Sequence, residues 1–276
     1  MLFSIFVDDV LKELEKTKKG CYVKQLCINS IMYADDLILL SISIADLQKL
    51  ITVCVNKFKE IGLEINIKKS ACIRVGTRHN TMLPCIMIGE HSLLWNVEIN
   101  YLGIKIVAAK RFTTNLQCLR QKYFRAINGL LGKVGMKSSP LVLGSLVESY
   151  CVPVLLYSAE SLAWTKSMLN SFENAYSQAF MKIFKTFDKN VVRQCQFFLN
   201  YLPLELKLVK KKINFLFQMK NSNNLICKIL SNNSGEYYEI YHKYFAFSPR
   251  QGKPILNLRR LLWTYFEAQI NQGGSD

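Results

Sequence analysis

Ser30-Ile31-Met32-Tyr33-Ala34-Asp35-Asp36-Leu37-Ile38-Leu39-Leu40-Ser41-Ile42 sets two β-prone runs on either side of two adjacent aspartates. Runs this close predict a hairpin with Ala34-Asp35-Asp36 between its strands. The first run reaches back through Tyr22-Val23 and Leu26-Cys27-Ile28. Paired carboxylates in so tight a hairpin are costly, because like charges repel and neither gives up its water willingly. A solvated turn is one reading, since Asp is a good turn former. A divalent-metal site is the other. Hard Mg²⁺ prefers carboxylate oxygens and keeps positions open for substrate phosphates. Two such ions about 3.5–4 Å apart stabilise the attacking and leaving oxygens of a phosphoryl transfer.

Upstream of the hairpin, Phe6, Val7, Val10, Leu11 and Leu14 follow helical spacing, predicting an amphipathic helix over 2–17 that breaks at Lys18-Lys19-Gly20. Asp8-Asp9 falls on its exposed side. Downstream, Ile44, Leu47, Ile51, Cys54, Phe58 and Ile61 recur every three or four residues, the clearest helix in the chain, with Gly62 at its end. Strand-like pieces follow at 63–66, 71–76, 85–88 and 97–107. From 113 the pattern is almost wholly helical, with 113–135 as one helix. Asn pairs at 223–224 and 232–233 and the turn Ser248-Pro249-Arg250-Gln251-Gly252 punctuate it.

A domain boundary is expected near 108–112, where composition changes as well as period. The chain carries 36 basic and 20 acidic side chains, net +16. Residues 1–108 hold 13 and 11 of these, net +2, which leaves 23 and 9, net +14, for 109–276. Such charge suits a polyanionic partner. With 50% hydrophobic residues and a mean hydropathy of +0.11, the 276 residues are neither a disordered tail nor a small disulfide scaffold. Nine cysteines without a C-x-x-C, and three histidines far from any cysteine pair, argue against a zinc site and a disulfide framework. The apolar start lacks a basic leader and is cut by Asp8-Asp9, so no signal peptide is expected. No uncharged apolar run is long enough to span a membrane. The expected setting is intracellular, cytoplasm or nucleus, and not secreted.

Tyr33-Ala34-Asp35-Asp36, Gly62-Leu63-Glu64-Ile65-Asn66-Ile67-Lys68-Lys69-Ser70 and Tyr101-Leu102-Gly103-Ile104, in this order, resemble motifs C, D and E of a reverse transcriptase. The likeness is closest to the enzymes of non-LTR (LINE-like) retrotransposons. It is convincing over 1–108, weaker over 109–190, and beyond that only helices are legible. The resemblance implies an α+β fold: an incomplete polymerase palm of hairpin, helix and short strands (1–108), then a mostly helical, basic, thumb-like region (109–276). It implies that Asp35 is a ligand of catalytic Mg²⁺ with Asp36 beside it. Lys69 would steady or protonate departing pyrophosphate. Tyr33 and Ala34 would lie near the primer terminus, and Tyr101, Leu102 and Gly103 would grip the primer backbone. The implied partners are an RNA template with a DNA primer, or their hybrid, and no membrane. In the helical half, Arg120, Lys122 and Arg125 beside Tyr123 and Phe124 are the candidate phosphate contacts.

The family completes its metal site with a third carboxylate from motif A and places the nucleotide with a motif B loop. Neither is recognisable in these 276 residues, and the sequence resembles the C-terminal part of a polymerase cut within the domain. The expectation is a fragment of an RNA-directed DNA polymerase that does not extend a primer by itself. The alternative is a basic helical remnant that binds nucleic acid without any polymerase role.

Overall fold

Alternating apolar residues and two-residue turns organise the first part of the chain. In the computed structural model, which describes residues 2–135, 137–233, 235–244 and 257–272, four hairpins have loops of two residues. β1 (Cys21–Val23) pairs with β2 (Leu26–Ile28), and β3 (Ser30–Tyr33) with β4 (Asp36–Leu39). β5 (Ile86–Ile88) pairs with β6 (His91–Leu93), and β7 (Glu98–Tyr101) with β8 (Ile104–Val107), all antiparallel. The first loop residue has positive φ in every case: Lys24, Ala34, Gly89 and Leu102. That geometry matches the right-handed twist of the flanking strands. The stretch 22–33 is thus broken by the turn at Lys24-Gln25 rather than running as one strand.

Two of these hairpins, β3–β4 and β5–β6, pack on the first two helices. α1 (Leu2–Lys16) turns Val7, Val10 and Leu14 onto Leu50, Cys54 and Phe58 of α2 (Ile44–Glu60), and Met32, Leu37 and Leu39 of the β3–β4 hairpin pack on the same core. α2 starts where the Ser43 hydroxyl accepts the Asp46 N–H at 3.1 Å, and the chain leaves it through Gly62 at φ +73°. Ile51, on the same apolar stripe of α2, packs with Cys72, Ile86, Ile88 and Leu93 in an adjoining cluster. At the end of α1, the buried Asn29 side chain donates to the Leu14 carbonyl at 2.6 Å, which also accepts the Thr17 N–H and hydroxyl.

Two strand expectations fail. Residues 63–66 and 71–76 form no strand, although Cys72 makes a single bridge to Trp95. The Leu63 N–H instead turns back to the Phe58 carbonyl at 2.8 Å, and Leu63 and Ile65 pack on the helical core. Their alternation records burial of one side of an extended segment that has no ladder partner. The helix expected over 113–135 also starts late. Thr113–Asn115 is β9, paired with β8, and α3 runs Gln117–Val134. Glu98 on β7 accepts from both Lys105 on β8 and Asn115 on β9, tying the three strands together.

The first compact unit therefore extends to Asn115 and the second spans Leu116–Asp276. The compositional change at 108–112 falls inside the β7–β8–β9 sheet. Counted at Leu116, the second unit has 21 basic and 9 acidic residues, net +12, because Lys110 and Arg111 belong to the first. The architecture is α+β, with the sheets in the first unit.

The second unit is helical: α3, α4 (Pro140–Leu146), α5 (Val152–Leu155), α6 (Lys166–Phe184), α7 (Lys189–Phe198), α8 (Leu204–Asn221), α9 (Leu225–Asn233), α10 (Glu236–Tyr244) and α11 (Leu258–Gln272). α6 buries Phe172, Ala175, Tyr176, Ala179, Phe180 and Ile183 at spacings of one and three. Leu206, Val209, Ile213 and Leu216 of α8 pack on Tyr244, Leu258, Leu262 and Phe266. The turn expected at Ser248–Gly252 lies outside the described residues. Val147–Cys151, between α4 and α5, is π-helical. Pro153 explains it: proline lacks an N–H, and its ring would crowd the carbonyl of Ser149 in an α-helix. The widened turn places Glu148 on the Lys207 ammonium and, at 2.5 Å, on the Tyr176 hydroxyl.

Among the described residues no helix is long and apolar enough to cross a membrane. All nine cysteines are free; burial pushes the Cys54 thiol up to about 12 and leaves it an inert core residue.

Candidate active site

The β3–β4 register pairs Tyr33 with Asp36, so Ala34 and Asp35 alone form the loop. Alternation sends Met32, Leu37 and Leu39 into the core and leaves Ile31 and Tyr33 on the open face, Tyr33 at 64% exposure. Ala34 holds φ +53°, a region that costs an L-residue about 1–2 kcal/mol. Asp35 and Asp36 are both exposed, and among the described residues neither side chain has a hydrogen-bond or ion-pair partner. Other acids of the first unit are engaged within the fold: the Asp46 carboxylate accepts the Ser43 hydroxyl at 2.9 Å and meets Lys19 at 2.8 Å, and Glu98 holds Lys105.

Tyr101 stands close enough to Asp36 to feel it. Burial first, and the Asp36 charge second, raise the Tyr101 hydroxyl above the usual phenol value. The fold thus brings together Tyr33, Ala34, Asp35, Asp36 and Tyr101, the last more than sixty residues away in sequence. Leu102 and Gly103, at φ +46° and +79°, form the adjoining turn, in which both central residues need left-handed backbone.

Lys69 is exposed in a turn built on Asn66, whose backbone carbonyl accepts the Lys69 and Ser70 N–H groups at 3.1 and 3.0 Å. No hydrogen bond or ion pair among the described residues joins Lys69 to Asp35 or Asp36. On α3 the three expected cations separate. Lys122 and Arg125, three residues apart, are both exposed and share a face with exposed Lys133. Arg120 is half-buried about 140° around the helix from Arg125, with its Nε buried and unpartnered. Arg120 is therefore not part of the exposed basic face; Lys122, Arg125 and Lys133 are. Helical arithmetic at 100° per residue places Arg120 on this other side from sequence spacing alone.

The donors present do not complete a two-magnesium centre. Asp35 and Asp36 supply oxygens from one side, and among the described residues no group of three His, Cys, Asp or Glu side chains gathers to hold a metal. What the hairpin offers by itself is one carboxylate edge, aimed at solvent beside a half-buried tyrosine.

Residues 1–106 match the family model of the reverse transcriptases, described as "Reverse transcriptase (RNA-dependent DNA polymerase)". The match covers about two-fifths of the chain and ends in β8, so the hairpin, α2 and the Tyr101 turn lie within it, and the helical unit lies beyond it. No curated protein matches the chain.

Proposed function

We propose that residues 1–106 serve as part of the palm of an RNA-directed DNA polymerase of the non-LTR retrotransposon type. Asp35 and Asp36 are its metal-binding edge, Tyr33, Ala34 and the Tyr101-Leu102-Gly103 turn lie along the primer, and Lys69 faces the leaving group. The observation that carries this reading is the hairpin tip. Two exposed, unpartnered aspartates sit on a strained Ala34 turn beside Tyr101, inside the stretch that matches the reverse transcriptases. The left-handed Ala34 backbone is what a two-residue hairpin turn requires, so the weight of the reading falls on the two exposed carboxylates that this turn presents.

The 276 residues on their own are proposed not to extend a primer. Two-metal transfer needs carboxylates on both sides of the ion pair, and one side is present. Misplaced reacting groups cost orders of magnitude in rate. The chain is instead proposed to bind RNA/DNA hybrid through Lys122, Arg125 and Lys133, inside the cell.

The test is primer extension on a primed RNA template with Mg²⁺. The chain alone should give none, and a fusion carrying an upstream family segment with motifs A and B should extend in an Asp35-dependent way. Extension by the unfused chain that disappears in Asp35→Asn would overturn the inactive reading. Hybrid binding is checked separately: Lys122→Gln and Arg125→Gln should each flatten the slope of log affinity against log salt by about 1. Unchanged slopes would remove α3 from the interface.

A further inference from the structure

The connection between α6 and α7 carries a feature the palm reading does not use. Lys185 ends α6 at φ +55°, its N–H bonded to the Met181 carbonyl, and the chain reverses through Thr186, Phe187 and Asp188. Phe187 is 97% exposed. A hydrophobic residue just before a helix cap ordinarily packs on the fourth helical residue. Here that residue, Val192, is buried while Phe187 stands in water, so the ring contributes no burial to the fold.

Its surroundings are basic and uncommitted. Lys182 and Lys185 are exposed and form no ion pair among the described residues, and Lys189 binds the neutral Asn174 amide oxygen at 2.9 Å. The one acid in the loop, Asp188, is occupied as the cap of α7, accepting the Asn190 N–H at 2.7 Å. Phe187 is an exposed ring on a loop whose sequence neighbours Lys182, Lys185 and Lys189 are exposed and without an acidic partner among the described residues, so this stretch offers a π-face and phosphate partners together.

We propose that this loop is a stacking platform for single-stranded nucleic acid, with a base on the Phe187 ring and the flanking phosphates on Lys182, Lys185 and Lys189. Sequence-tolerant single-strand binding uses that combination, because every base has a π-face. A protein partner fits less well, since the immediate sequence neighbours of Phe187 are Lys185, Thr186, Asp188 and Lys189 rather than a run of apolar residues. A membrane fits less well too, as interfacial anchoring needs a whole apolar helix face. The site lies in the helical unit outside the family match and does not depend on the palm reading.

The test is fluorescence anisotropy of short labelled oligothymidylate with the full chain. Phe187→Ala should weaken binding by between about 5- and 150-fold, the range for losing one base–aromatic stack. Phe187→Leu should weaken it nearly as much, and Phe187→Trp should restore it. In wild type, oligonucleotides containing 2-aminopurine should show the fluorescence quenching of a stacked base, lost in Phe187→Leu. Replacing Lys182, Lys185 and Lys189 together by Gln should lower the salt slope by about 2. Because Phe187 is almost wholly exposed, these variants leave the fold intact. Wild-type single-strand affinity in Phe187→Ala, or full affinity in Phe187→Leu, would overturn the proposal. So would an effect of Phe187 confined to self-association or to anionic vesicles. Loss of hybrid binding in Lys122→Gln with single-strand binding intact separates the two sites.

Discussion

Lys207→Met should destabilise the helical unit by about 3 kcal/mol. The Lys207 ammonium and Glu148 carboxylate form an ion pair with side chains only 14% and 18% exposed. The same ammonium lies 5.1 Å above the Tyr176 ring, and the Tyr176 hydroxyl donates to Glu148 and, at 3.2 Å, to the Leu202 carbonyl. Burial depresses the Lys207 pKa despite its partner, so the cation is held at a desolvation cost. Removing it strands Glu148 in the interior. Breaking a buried pair from one side typically costs 3–5 kcal/mol. The lower end applies because Glu148 keeps the Tyr176 hydroxyl. For a unit of this size that corresponds to a fall in Tm of roughly 6–12 °C.

The assay is thermal and urea unfolding of the full chain by tryptophan emission, in a Trp95→Phe background. Trp164 and Trp263 then report the helical unit alone. The decisive control is Glu148→Leu with Lys207→Met. Removing both charges should recover most of the loss, since replacing a whole buried pair by apolar groups is often near neutral. A loss under 1 kcal/mol in the single variant, or a double variant no better than the single, would refute the reasoning.

Asp35→Asn and Asp36→Asn should each change stability by less than about 0.5 kcal/mol in urea titrations, because neither carboxylate has a partner among the described residues. Ala34→Gly should stabilise by about 0.5 kcal/mol: relief of the left-handed backbone exceeds the added freedom of the unfolded chain, and a lower Tm would contradict this. Gly20→Ala should cost about 1–3 kcal/mol, since a Cβ there would meet Asn29 Cβ at 2.7 Å and the Ile28 carbonyl at 2.8 Å. Glu173 has an unpartnered buried oxygen, and burial raises its folded pKa above the ordinary 4.5. Its charge therefore subtracts stability at neutral pH, and the penalty fades as pH falls through the folded value and is gone below 4.5. Glu173→Gln should raise Tm at pH 7.5 and leave it unchanged near pH 4; the opposite pattern would mean the carboxylate is favourably solvated.

Residues whose environment is local were legible in the sequence, and residues whose environment is built by distant segments were not. α2 was readable because Ile44, Ile51, Cys54 and Phe58 all face partners at helical spacing. The Tyr33–Asp36 hairpin was readable because its strands are adjacent. Leu63 and Ile65 misled because alternation reports one-sided burial, which a loop lying on a helix also produces. Thr113–Asn115 misled in the other direction. Its pairing depends on Lys105, Ile106 and Val107 and on the Glu98–Asn115 bond, none of which lies within a helical window. The approach of Tyr101 to Asp36 had no signal in spacing. Pro153 did signal the disturbance that creates the π-helical turn, although its consequence, Glu148 delivered to Lys207, needed α6 and α8 in place.

Charged groups in both units fall into two kinds, those paired within the fold and those left exposed, and the contrast bears on the proposed site. Glu148 and Lys207 are desolvated and satisfied together with the Tyr176 hydroxyl, so their removal is felt as stability. In the first unit Asp46, Glu98 and Glu13 each hold a lysine, and they too belong to the scaffold. Asp35 and Asp36 do the reverse. They stand exposed and, among the described residues, unpartnered at the tip, while Met32, Leu37 and Leu39 on the other face pack against α1 and α2. A core-anchored hairpin presenting a pair of carboxylates without internal partners is the arrangement expected when their partner is supplied from outside the fold. Phe187 repeats the pattern in the helical unit, where a large ring is kept in water on a loop with lysines close by in sequence. At both places a mutation should leave Tm nearly still and move ligand affinity, whereas at Lys207 the order of effects is reversed.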